Sequence, residues 1–239
     1  MKLRTIFLTL LIAIFYNIGI AHAEEARYTL NVANFNSLTV VDGINVVYRC
    51  NADSAGWVIF SAEPELASKI SFTNNKEHLR VQTLADEQPL KDLPTVTVYS
   101  ASLRYVENSG DSTVVVYPTV QVQKFTAKQI GNGVLDIRGV AADKLDGDAA
   151  AGHGRLSIDG KADKVKLRNV GTGIIDASTL AGDDVSCFVL GPGTVHVHAT
   201  GQLKLTGAGS GKVINHATAA KNVNRSIGIK AENPGEQKP

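Results

Sequence analysis

Cysteine, methionine and tryptophan are nearly missing from this sequence, which has two, one and one among 239 residues. Two cysteines allow at most one disulfide, which such a pair suggests in an exported chain. Cys50 and Cys187 lie far apart and each falls in step with apolar neighbours, so two buried, inert thiols are expected rather than a bridge. An excess of charge of one sign is also missing: 24 Lys and Arg face 23 Asp and Glu. That balance provides no basic stripe for nucleic acid and no acidic tail. Beyond the first residues no apolar run is long enough to span a bilayer as a helix, so no transmembrane anchor is expected in the mature chain. Gly-x-Ser-x-Gly does not occur, nor does the hexapeptide repeat of acyltransferase β-helices.

The amino terminus has the three parts of a secretory signal. Lys2 and Arg4 precede the apolar run Ile6 to Ile20, and Ala21-His22-Ala23 supplies a small-x-small cleavage pattern. Residues 1–23 are therefore expected to be removed on export, to the periplasm or the cell surface. No cysteine follows the run, which argues against a lipid-anchored precursor.

Glycine is the residue that organises the rest. Gly131-Asn132-Gly133, Gly152-His153-Gly154, Gly171-Thr172-Gly173, Gly191-Pro192-Gly193 and Gly209-Ser210-Gly211 recur about every 20 residues, with Ser109-Gly110-Asp111 upstream. Each precedes a run with a period of two. The second residue after each motif is Leu135, Leu156, Ile175, Val195 and Val213; the fourth is Ile137, Ile158, Ala177, Val197 and Asn215. The residues between are mixed or polar, as on a half-buried strand. A second apolar series follows through Leu145, Val165 with Leu167, Val185 with Cys187, and Leu203 with Leu205. The expected fold is all-β, a right-handed parallel β-solenoid of roughly 20-residue turns stacked on one continuous core.

Residues 24–108 are less regular and read as a capping half ahead of the repeats at 109–230. Leu38 to Val41, Ile44 to Tyr48, Val58 to Ser61, His78 to Thr83 and Thr95 to Tyr99 look like strands, and Pro64 to Lys69 like a helical turn. Most aromatics fall here, Trp57 and Phe60 among them; after residue 130 only Phe188 remains. Residues 231–239 are polar and expected to be a disordered tail.

Phe35-Asn36-Ser37-Leu38-Thr39-Val40, Gly43-Ile44-Asn45-Val46, Ser61-Ala62-Glu63, the Leu79-to-Gln82 run, Pro94-Thr95-Val96-Thr97-Val98 and the Ser109-Gly110 turn follow one another in an order that resembles the family "putative auto-transporter adhesin, head GIN domain". The resemblance spans about residues 28 to 215. It implies a β-solenoid related to pectin-lyase-like folds, exported by bacteria, with cell adhesion as its role and no catalytic residues to carry over. One departure is that no membrane-barrel segment follows the repeats, so the chain is not expected to export itself.

Three chemistries compete with simple packing. The Gly-x-Gly motifs open no helix, and Gly211-Lys212 has Val213 and Thr206 where a phosphate loop needs other residues, so they are turns. Asp136 and Asp176 share an outward column two turns apart, roughly 9–10 Å at the strand spacing, near the separation of an inverting glycosidase pair. Ser157 between them on a regular strand favours a solvated polar ladder. His196, His198 and His216 are candidate metal ligands, with His216 expected in the column of His198, although adventitious surface histidines are the simpler reading. No cofactor is expected.

The outward residues Arg155, Ser157, Asp176, Thr194 and His196 make a candidate binding face. The leading expectation is a non-catalytic adhesion or binding module for a glycan or an envelope or surface protein. A structural scaffold that self-assembles comes second and a polysaccharide lyase or hydrolase third.

Overall fold

The computed structural model describes residues 25–84, 90, 92–219 and 221–233. The signal-like residues 1–23 and the end of the polar tail, 234–239, lie outside them. The described chain is almost entirely strand. Its irregular part contains β1 (Ala26–Asn31), β2 (Ser37–Val41), β3 (Val46–Cys50), β4 (Trp57–Ala62), the helical turn α1 (Pro64–Ala67), β5 (Ile70–Asn75), β6 (His78–Thr83) and β7 (Val96–Ser100). The coiled part contains β8 (Tyr105–Ser109), β9 (Thr113–Tyr117), β10 (Val122–Ile130), β11 (Val134–Ala150), β12 (Arg155–Val170), β13 (Ile174–Leu190), β14 (Thr194–Ala208), β15 (Lys212–Asn215), β16 (Lys221–Ile227) and β17 (Lys230–Glu232).

Two parallel ladders face each other across the core. The first runs β7, β3, β9, the leading parts of β11 to β14, then β15 and β17. The second runs β6, β2, β8, β10, the trailing parts of β11 to β14, then β16. The expected columns are in register: Leu135, Leu156, Ile175, Val195 and Val213 are neighbours from strand to strand and all are buried. On the second ladder Leu145, Val165, Val185 and Leu203 align in the same way. Burying one such aliphatic contributes roughly 1.5–3 kcal/mol, so each added turn extends one core rather than starting another.

The expected pair of strands per repeat is, in β11 to β14, a single strand bent round a corner. Register shifts at that corner, as between Ile137 and Val140, absorb the differences in repeat length. The opposite corner is the glycine motif, and its two glycines do different work. Gly152 sits at φ +97°, a left-handed backbone that a side chain resists, whereas a Cβ on Gly154 would stand 2.5 Å from the Gly131 carbonyl oxygen of the turn before. Buried amides secure this corner. Asn108 Nδ2 donates to the carbonyls of Ser112 and Val134, and Asn169 repeats the pattern with Gly173 and Thr194.

The amino-terminal half is a cap, but its chain order differs from its spatial order. The β2–β3 turn pairs with β6 and β7 on one side and with β8 and β9 on the other. The chain thus lays down the second turn before the first. Antiparallel strands then close the end: β5 covers β6, while β4 covers β7 and is itself paired with β1. Phe35 and Tyr48 are fully buried there, and Phe60 stacks on Tyr28 with ring centres 5.1 Å apart. Trp57, also in this half, is by contrast 38% exposed.

At the carboxyl end the inward positions turn polar: Asn222 follows Leu203 and Asn224 follows Leu205. Ala231 and Glu232, expected in the disordered tail, belong instead to β17, which pairs with β15. Both thiols are free. Cys187 is buried, which pushes its pKa up to about 12, whereas Cys50 is only half-buried and donates to the Ala101 carbonyl. The expectation of two buried thiols therefore holds for Cys187 alone, because Cys50 closes its strand at the edge of the core.

The column assignment makes Ile175 and Asp176 opposites. Ile175→Asp places a charge in the stacked core and should cost about 4 kcal/mol or more. Asp176→Ala should cost about 1 kcal/mol or less, since it removes a part-exposed ion pair and part-buried hydrogen bonds from the Ser178 hydroxyl and backbone N–H. Thermal melting of the two variants separates these outcomes; equal losses would contradict the assignment.

Candidate functional site

The outward side of the first ladder carries a continuous run of polar contacts. Strand alternation puts Asp136, Ser157, Asp176 and His196 in one row, register neighbours of one another. Two residues further along, Arg138, Asp159 and Ser178 extend the face. Arg138 donates from Nε to Asp136 Oδ2 at 2.8 Å and from Nη1 to the Tyr117 hydroxyl at 3.1 Å. Arg49 lies over the other end of that system, 5.1 Å from the centre of the Tyr117 ring. Arg155 donates from Nε to Ser157 Oγ at 3.1 Å and pairs through Nη2 with Asp176. Asp176 Oδ1 accepts from the Ser178 hydroxyl at 2.7 Å.

Between these groups lies a shallow groove of about 240 Å³, lined by Asp136, Arg138, Ser157, Asp159, Asp176 and Ser178 among others. Both carboxylates singled out from the sequence thus reach one groove, each in an ion pair. Burial alone would raise the pKa of Asp176, but hydrogen bonds from Ser178 together with the charges of Arg155 and His196 outweigh it and hold the carboxyl below its ordinary value. Asp176 is therefore ionised at neutral pH and has no proton to donate.

Of the candidate binding residues, Arg155, Ser157 and Asp176 are brought into direct contact, and His196 lies beside Asp176. Thr194 is not gathered in: its register neighbours are Ile174 and Lys212, and Ile174 separates it from Arg155. The aligned sequence columns stop one outward position short of Arg138 and Ser178, although the same alternation that exposes Asp136 and Asp176 exposes them too.

The histidines are arranged differently from the expectation. His216 pairs with His196, Nδ1 to Nε2 at 3.0 Å with ring centres 5.3 Å apart, and not with His198. The reason is local. Strand β15 ends at Asn215, whose side chain turns inward and bonds the backbone N–H and C=O of Ala199 at 2.9 and 3.3 Å. The chain then bends, with the His216 N–H donating to the Val197 carbonyl at 2.8 Å. Among the described residues no three His, Cys, Asp or Glu side chains gather to hold a metal ion.

Comparison with known proteins agrees with this geometry. The family described as "putative auto-transporter adhesin, head GIN domain" matches residues 34–219, and the chain belongs to it. No curated protein matches the chain. Among solved structures, a putative adhesin from Bacteroides fragilis superposes with a TM-score of 0.75 at 17% identity, covering 88% of this chain and 96% of that one. A putative adhesin from Parabacteroides distasonis gives 0.65 at 21%, over 89% and 98%. A protein described as a putative lipid binding protein from the same species gives 0.68 at 13%, over 89% and 97%. At these identities the likeness is one of fold.

The paired histidines yield a titration test. Burial is the largest influence on His196 and lowers its pKa below 6.5; His216 and Arg155 lower it further, and Asp176 opposes them. A histidine depressed in this way binds fewer protons folded than unfolded, so its contribution turns destabilising as pH falls through about 6.5. By NMR, His196 should titrate below 6.5, and Asp176→Asn should move it down again. A rise in the variant would contradict the arrangement.

Proposed function

We propose that this chain is a non-catalytic adhesion module of the bacterial envelope whose first ladder binds an extended glycan. The observation that carries this reading is the groove between Asp136 and Asp176. It is open, shallow and lined by hydroxyls, carboxylates and guanidinium groups, which suit the many hydroxyls of a sugar chain. The charged groups are spent on one another as ion pairs rather than aimed at a common reacting atom, and Asp176 is held ionised. A general acid needs the opposite shift. Repetition along the stack offers further weak contacts, which act together on an extended ligand. Polar Asn222 and Asn224 at the last turn disfavour end-to-end assembly, which weighs against a self-assembling scaffold. The signal-like residues 1–23 and membership of an adhesin family support export to the periplasm or the cell surface.

A glycan-array screen with the exported chain, run beside assays for lyase and hydrolase products, tests the reading. Saturable binding to at least one polysaccharide class is expected, weakened about tenfold or more by Arg138→Ala combined with Arg155→Ala. Binding only to envelope proteins would move the ligand to the protein class. Turnover of a polysaccharide that Asp136→Asn abolishes in a folded protein would defeat the non-catalytic reading.

A further inference from the structure

The opposite side of the molecule carries a different chemistry. Along the outward side of the second ladder, the row beside the glycine corner is apolar from strand to strand: Ile130, Ala150, Val170, Leu190, Ala208 and Ile227 are register neighbours in that order. These side chains point away from the core. Ile130 is 37% exposed, Leu190 46% and Ile227 78%, with Phe188 at 38% in the adjoining row. Scattered exposed aliphatics need no explanation, but an unbroken row on consecutive strands is a contiguous apolar surface.

The rest of this side is mostly cationic, with Asp184, the register neighbour of Lys164, as an acid in the outermost row. Lys144 and Lys164 are register neighbours, and Lys166 and Lys204 share the next row with Ser186 between them. Two of the acids on this side are already engaged, Asp146 with Lys124 at 2.7 Å and Asp148 with Arg168 at 3.3 Å. Lys144, Lys164, Lys166 and Lys204 have no ion pair among the described residues. Outward positions along a strand are roughly 7 Å apart, so the apolar row and the lysine rows lie within roughly 20 Å on one sheet face. A planar surface can touch them all at once.

We propose that this face rests on the anionic surface of a lipid bilayer, with the Ile130-to-Ile227 row at the headgroup boundary and the lysines against lipid phosphates. Charge decides between occupants. A second copy meeting this face would bring one set of unpaired lysines against another, whereas anionic headgroups complement them. The apolar row supplies shallow insertion of the kind that holds amphipathic surfaces on membranes. Adhesion through the first ladder and membrane contact through the second use different residues, so either reading can fail without the other.

The test is co-sedimentation of the exported chain, its first residue fixed by intact mass, with vesicles of phosphatidylcholine containing one part in four phosphatidylglycerol, and with pure phosphatidylcholine vesicles. Binding to the anionic vesicles is expected, falling with added salt and much weaker on the neutral ones. Each of Lys164→Gln and Lys204→Gln should weaken it roughly fivefold. Leu190→Ser with Ile227→Ser should weaken it about tenfold or more while leaving the melting temperature close to the parent's. Arg155→Gln with Lys212→Gln, on the other side, should leave vesicle binding unchanged. The proposal is overturned by no binding, by equal binding to both vesicles, or by equal losses from variants on the two sides. Loss of self-association in the Leu190 and Ile227 variant without any vesicle binding would also overturn it, in favour of a protein interface.

Discussion

The parallel backbone ladder between successive turns sets what every other residue can do. Strands stacked at about 4.8 Å force residue types into columns, because a side chain in one turn lies directly against its counterpart in the next. Inward columns are then largely apolar, as from Leu135 to Val213. Where one is not, beside the glycine corner, the buried amides of Asn108 and Asn169 bond the backbone. Some outward columns become rows of one character, polar from Asp136 to His196 and apolar from Ile130 to Ile227, while others, such as Arg155, Ile174 and Thr194, stay mixed. The glycine corner follows from the same constraint. Turns this close leave no space for a Cβ at Gly154, so the corner repeats with the ladder rather than with the needs of any ligand.

A ladder also has two ends, and the chain treats them differently. At the start, antiparallel β4, β1 and β5 cover the first turn and the large aromatics fill the cap. At the finish, inward asparagines replace leucines, so that the final turn presents polar groups to water instead of a template for another copy. The amino-terminal cap is achieved by covering and the carboxyl-terminal one by composition, which explains why the aromatics are concentrated in the first half of the sequence.

Much of this architecture is legible in the amino-acid sequence. The glycine spacing and the alternation after it place Leu156 beside Ile175 and Val165 beside Val185 without further information. The features that stay hidden depend on contacts with no local signature. Nothing near Ser37–Val41 announces that it inserts between β6 and β8, because that pairing joins segments about 40 and 70 residues away in sequence. His216 leaves its expected column for a related reason: the regular repeat stops at Asn215, whose amide substitutes for ladder bonds and ends the strand. The groove is half visible, since Asp136, Ser157 and Asp176 fall in one row, but its partners Arg138 and Ser178 lie one outward step beyond the aligned columns.

If the ladder is the governing interaction, stability should be graded along the stack. Hydrogen exchange resolved by residue measures this directly. Amides of β12 and β13, flanked on both sides by paired turns, should exchange slowest, and those of β16 and β17 fastest, with β7 protected by its antiparallel cover. Slow exchange in β16 and β17 equal to that of β12 and β13, or rapid exchange in the central turns, would contradict the account.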